Sequence, residues 1–169
     1  MAKIDRTTLF SEARNNIVAL LDSRTNVADP VCSSSEHRKF LYSREPDVKD
    51  NDFDKFPFII VHPVMTELPM GGSGDGKHKF VNFDIQVEVV TSDREYGNQE
   101  GKGLTHLEAI MNDIAETLMG MTNRNTLRSY GMEGVNIIPG STVTEEMNNK
   151  LVYRTNMIIN CTTRMTVSA

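Results

Sequence analysis

From Lys77 to Ser92 apolar and polar residues take turns along the chain. Val81, Phe83, Ile85, Val87 and Val89 fall on one side of an extended backbone, and Asn82, Asp84, Gln86 and Glu88 on the other. Side chains on a strand point alternately to its two faces, so the spacing predicts a long strand with one buried and one polar face. Strands buried on both faces read as unbroken apolar runs, which places this one in an antiparallel sheet covered on one side. An apolar helix must supply that cover.

Two stretches have the required period. Between Thr7 and Asp22, Leu9, Phe10, Ala13, Ile17, Leu20 and Leu21 share a helical stripe, with Glu12, Arg14, Asn15 and Asn16 mostly opposite. Between Leu104 and Met119, Leu104, Leu107, Met111, Ile114, Ala115 and Leu118 do the same, and Gly120 closes the segment. Phe56 to Val64 is dense in aromatic and β-branched residues and reads as a strand shortened by Pro57 and Pro63. The glycine-rich link at Met70–Gly76 joins it to the alternating strand as a hairpin. Beyond the second helix, Leu127 is expected to open a short irregular strand that runs through Val135, Ile137 and Ile138 to Pro139-Gly140. Glu145 to Asn149 are expected to form a last turn. From Lys150 to Val167 alternation returns: Leu151, Tyr153, Met157, Ile159, Cys161 and Met165 on one face, Arg154, Asn156, Asn160, Thr162 and Arg164 on the other. The fold class predicted is α+β, a mainly antiparallel sheet with an N-terminal and a central amphipathic helix packed on one face.

Ser23 to Lys55 breaks the pattern. Asp29-Pro30, Ser33 to Ser35, Glu45-Pro46 and an acidic run from Asp47 to Asp54 leave too little apolar area for a regular element, with Phe40, Leu41 and Tyr42 as the one anchor. We expect a single domain over 1–169 with 23–55 as a long loop or arm, a length that usually means a functional or partner-ordered segment.

Composition narrows the class of partner. A net charge of −5 lacks the basic face that grips nucleic acid through its phosphates. Two cysteines, Cys32 and Cys161, are too few to staple a chain of 169 residues and fit a reducing compartment. No apolar run reaches membrane-spanning length and the start lacks a signal-peptide core, so a soluble protein made in the cytosol is expected. Asn160-Cys161-Thr162 matches a glycosylation acceptor but lies in a predicted strand, and is set aside.

Candidate chemistry thins out on inspection. Gly71 to His78 nearly spells a phosphate loop, yet His78 replaces the hydroxyl residue and a strand follows where the anion-cradling helix should begin. A hairpin tip able to reach a neighbouring subunit is the better reading. Asp50, Asp52 and Asp54 open like a calcium loop, but Lys55 and Val61 occupy the positions that need glycine and glutamate. A solvated acidic loop is favoured, with a weak divalent-ion site left open. His37, His62, His78 and His106 share no ligand spacing and read as surface or strand-edge residues. Neither a nucleophile nor a catalytic constellation is visible. Arg154 and Arg164, with Asn156 and Asn160 between them, suit either a solvated sheet face or a polar subunit interface.

Taken in order, the first helix, FPFIIVHPV, the polar tip, FVNFDIQVEVVTSDR, the helix GLTHLEAIMNDIAETLM and the closing LVYRTNMIINCTTRMTV resemble the tail-terminator (tail-completion) proteins of long-tailed bacteriophages. The resemblance spans Phe56 to Val167 plus the first helix and rests on element order. Ser23 to Lys55 is longer than the family pattern. The resemblance implies a non-enzymatic virion protein at the tail-neck junction, assembled in the host cytoplasm without cofactor or membrane. It implies a homo-oligomeric ring, usually a hexamer, that caps the tail tube protein, ends elongation and joins the head connector or stopper protein. DNA would pass through without specific binding, as an acidic lumen would allow. Contacts are expected from the tip, Gly71, Gly72, Ser73, Gly74, Asp75, Gly76 and Lys77 to Lys79, from Asp93 to Lys102, from the arm, and from Arg154 and Arg164. The rivals are another neck or tail-tube subunit, and a small enzyme with a pocket between helix and sheet.

Overall fold

The computed structural model describes residues 9–22, 41–42, 56–64, 70–72, 78–93, 102–147 and 149–166. Along the chain these form α1 (Leu9–Asp22), β1 (Leu41–Tyr42), β2 (Phe58–Val64), β3 (Met70–Gly72), β4 (His78–Ser92), α2 (Gly103–Met119), α3 (Met121–Ser129), β5 (Met132–Pro139), β6 (Val143–Met147) and β7 (Lys150–Thr166). The class is α+β, as the periodicities predict.

Two long strands form the axis. β4 and β7 run antiparallel in unbroken register from His78 opposite Thr166 to Ser92 opposite Val152. Each carries a broken strand on its free side. β2 and β3 follow one another along β4, Val64 facing Asp84 and Met70 facing Val81. β5 and β6 follow one another along β7, Pro139 facing Met157 and Val143 facing Arg154. The sheet order is therefore β1-β2-β4-β7-β5, with β3 on β4 and β6 on β7. β1 is parallel to β2, Leu41 facing Ile59, so part of the expected arm anchor is a strand; Phe40 lies outside the described residues. Among the described residues β1 faces only Ile59 and Ile60, and Pro63 pairs with Ile85 on the β4 side.

The helices cover one face. Ala13, Ile17, Leu20 and Leu21 of α1, and Leu107, Ile110, Ile114 and Leu118 of α2, meet Val81, Phe83, Ile85, Val87 and Val89 of β4 and Met157, Ile159 and Cys161 of β7 in one buried cluster. That is the expected roof on the expected face. Some members differ from the prediction. Leu104 is exposed and Ile110 takes its place inside. Arg14 is half-buried, its Nε donating to the carbonyl of Val61 at 2.8 Å and so tying α1 to β2.

Four expectations need correction. Leu127 does not open a strand: it is buried in α3, and the chain is helical from Met121 to Ser129 before β5 begins at Met132. Leu127 and Asn123 are one turn apart and both buried, Asn123 Nδ2 donating to the Thr117 carbonyl at 2.7 Å, so tertiary contacts hold a helix of weak intrinsic pattern. Glu145 and Glu146 are in a strand, not a turn; the reversal comes later, at Asn149 with φ 63°. His106 is a buried helix residue, not a surface one. The other sheet face, finally, is not polar throughout. Phe56, Phe58, Ile60, Val90 and Val152 form a second buried cluster there, joined by Met147. On β7 the inward parity therefore breaks at its start: Val152 is buried on that outer face while Leu151 is 41% exposed.

Candidate interaction surfaces

The outer face of the β4–β7 pair carries the polar residues that sequence alternation places there. Asn160 Nδ2 donates to Asp84 Oδ1 at 2.8 Å, and Thr162 Oγ1 donates to Asn82 Oδ1 at 2.8 Å. Arg154 Nη1 donates to Glu88 Oε1 in an ion pair one rung out of register, since Glu88 faces Asn156 and Arg154 faces Val90. Opposite residues in such a ladder sit close enough for direct side-chain bonds, and these bonds fix register more than they add stability. Arg154 thus lies near the Ser92–Val152 end of the ladder and is engaged with Glu88. Arg164 lies opposite Phe80 on the same ladder, toward the hairpin-tip end. The two arginines flank one polar strip, as their spacing implies, but belong to its two ends.

At the tip, Gly71 and Gly72 are not in the loop. They pair with Phe80 and Lys79 as the last residues of β3. Ser73, Gly74, Asp75, Gly76 and Lys77 lie outside the described residues, as do Asp50, Asp52 and Asp54.

The opposite end of the sheet holds a pin that sequence reading missed. Asp93, the residue after β4, accepts from the Gly103 amide at 2.8 Å, and Thr91 Oγ1 donates to the Gly103 carbonyl at 2.7 Å. Gly103 is required by crowding: a Cβ there would sit 2.7 Å from the Tyr153 ring and 2.8 Å from the Asp93 amide nitrogen. Burial, and then the charge and hydrogen bond of Asp93, push the Tyr153 phenol above its ordinary value. The carboxylate after a strand and the glycine opening a helix are visible in sequence; only the fold brings them together.

Cys161 is a free thiol in the inner core, its titration pushed up to about 12, first by burial and second by the nearby charge of Asp84. A thiol so held is a poor nucleophile. An open cleft of about 320 Å³ lies between α2 and the β5–β6 connection, lined by Leu107, Glu108, Met111, Asn112, Gly140, Thr142 and Thr155. Neither Tyr153 nor Cys161 lines it. Among the described residues no group of three or more His, Cys, Asp or Glu could hold a metal ion, and no helix is long and apolar enough to cross a membrane.

No family profile and no curated protein matches the chain. Among solved structures, the fold is similar to that of a chain from the virion of a native gene transfer agent particle. The TM-score is 0.54 at 12% identity, over 92% of this chain and 96% of the other. At that identity the shared property is the fold, and it extends over nearly the full length of both chains.

Proposed function

We propose that the protein is a structural component of a virion of the tailed-phage type, and within it the tail terminator: a ring of copies that caps the tail tube, ends its elongation and presents the docking face for the head connector or stopper protein. The observation that carries this reading is the full-length fold similarity to a virion chain, taken with the order of elements in the sequence. The polar strip of β4 and β7 supports it, because Asn82, Asp84, Asn160 and Thr162 hold one another in a prearranged pattern of donors and acceptors, suited to contact with another protein surface. In this reading Arg154, Arg164 and the tip from Gly71 to Lys77 contribute subunit or tail contacts, and DNA passes through a ring of acidic subunits without specific binding.

Negative-stain imaging of the purified protein tests it. Rings with a central hole that block further polymerisation of tube protein are expected; a monomer at high concentration sinks it. Deletion of Ser73–Gly76, which spares Gly71 and Gly72 of β3, is expected to leave the folded subunit intact by circular dichroism while weakening assembly in light scattering. A second position in the virion, another neck or tail-tube subunit, draws on the same fold similarity. The N-terminal helix α1, packed on the sheet, favours the cap over the tube. A tube subunit would polymerise by itself in the same imaging experiment.

A further inference from the structure

We propose that the β5–β6 edge is the surface through which copies of this chain join, the acidic strand β6 of one copy lying against the basic side of α3 of another. This rests on the reading above only in taking a second copy as the partner, and is independent of place in the virion.

Among the described residues, β5 and β6 each pair with β7 and with no strand on their other side. An open edge is a template for further pairing, which proteins usually cover or blunt. Here it also carries apolar area, Ile138 being 50% and Val143 49% exposed. The register Ile138 to Ile158 and Val143 to Arg154 places both on the outer face.

Charge selects the partner. Glu145 and Glu146 are exposed on β6, at the end of the edge where Arg154 is already engaged with Glu88 and Lys150 is the neighbouring cation. At the other end α3 packs against β5, and its Arg124 and Arg128, four residues apart on one helix face, are exposed and outnumber Glu133 beside them. Neither arginine and neither β6 glutamate makes an ion pair within the described residues. Glu145 faces Val152 and Met132 faces Thr163, so the two ends lie about 36 Å apart along β7 at about 3.3 Å per residue. That span is too long for the charges to satisfy one another within one chain through salt solution. A neighbouring copy brings acid to base, head to tail or edge to edge, and covers Ile138 and Val143 in doing so.

The test uses the full chain in two charge-reversed forms, Arg124→Glu with Arg128→Glu, and Glu145→Arg with Glu146→Arg, read by sedimentation and native mass spectrometry. All four sites are exposed, and circular dichroism checks that each form folds; Arg→Gln and Glu→Gln pairs replace any that do not. Each reversed form alone should assemble about a hundredfold more weakly, since like charges then meet. An equal mixture of the two should assemble to within about tenfold of the wild type. With the Gln pairs, the readout is loss of the salt dependence of wild-type assembly. Reversed forms that assemble as wild type, a mixture that stays apart, or a monomeric wild type would each overturn the inference. Loss of DNA retention from the arginine form with unchanged assembly would also overturn it, in favour of nucleic acid. Rings seen with both reversed forms would remove this interface and leave the virion reading standing; restored pairs that never close into rings would do the reverse.

Discussion

β4 and β7 present two faces made by the same backbone and the same alternation, and the two behave differently along their length. The inner face is apolar from Val81 to Val89 and is buried with residues of α1 and α2 in one cluster. The outer face changes character midway. From Asn82 to Glu88 it is a ladder of half-buried and exposed polar side chains bonded across strands, and at Val90 it joins a buried apolar cluster built around Phe56 and Phe58, whose rings lie 5.3 Å apart. Burial on one face supplies stability; a polar ladder on the other sets register and leaves the face wet enough to meet a partner. Substitutions in the buried clusters are expected to unfold the protein, and those on the polar ladder to disturb assembly.

Cutting a large side chain from each face should expose the contrast. Phe83→Ala should destabilise by about 3–5 kcal/mol in urea denaturation, because Phe83 is fully buried beneath the helices. Phe58→Ala, on the outer cluster, should cost nearly as much, about 3 kcal/mol, since Phe58 is 1% exposed. A loss below about 1 kcal/mol there would mean that the outer cluster is surface and that the two faces are unlike throughout. The polar ladder should matter less. Asn160→Ala, removing the bond to Asp84, is expected to cost about 1 kcal/mol or less by the same measurement. A cost as large as that of Phe83→Ala would make the ladder a structural core and weaken its reading as a contact surface.

The smallest effect is invisible at neutral pH. Cys161 and Tyr153 both have pKa values raised above 9.0 and 10.0, so the folded chain binds more protons than the unfolded chain in alkali. The Cys161 contribution is complete below pH 9 and is lost as the pH climbs toward about 12, and the Tyr153 contribution is complete below pH 10 and is lost above it. A stability profile should fall over that window, and Cys161→Ser, which has no thiol to ionise, should flatten part of the fall. An unchanged slope would show that the thiol is open to solvent.

The outer cluster was legible in part. Phe58-Ile59-Ile60-Val61 is an unbroken apolar run, the signature of a strand buried on both faces, and the structure buries all four. Val89-Val90 at the end of the alternating strand carries the same signal. The third helix was not legible. Met121–Ser129 has little apolar content, and its buried residues are one leucine and one asparagine, so no period rises above the polar background. The acidic stretch at Glu145 and Glu146 resembled a turn because edge strands carry charge by design against aggregation, and such strands look like loops in composition.

The class of fold, the two long strands, the two larger helices and the face they cover were legible in local pattern, because alternation and the helical period depend only on which side of the backbone a residue leaves. Which strands lie at the edge among the described residues, which polar groups bond across the ladder, how Asp93 pins Gly103, and where the β6 glutamates and the α3 arginines sit follow from the folded chain alone. Those are relations between residues far apart in the chain, fixed by sheet order and register, and no window of neighbouring residues contains them.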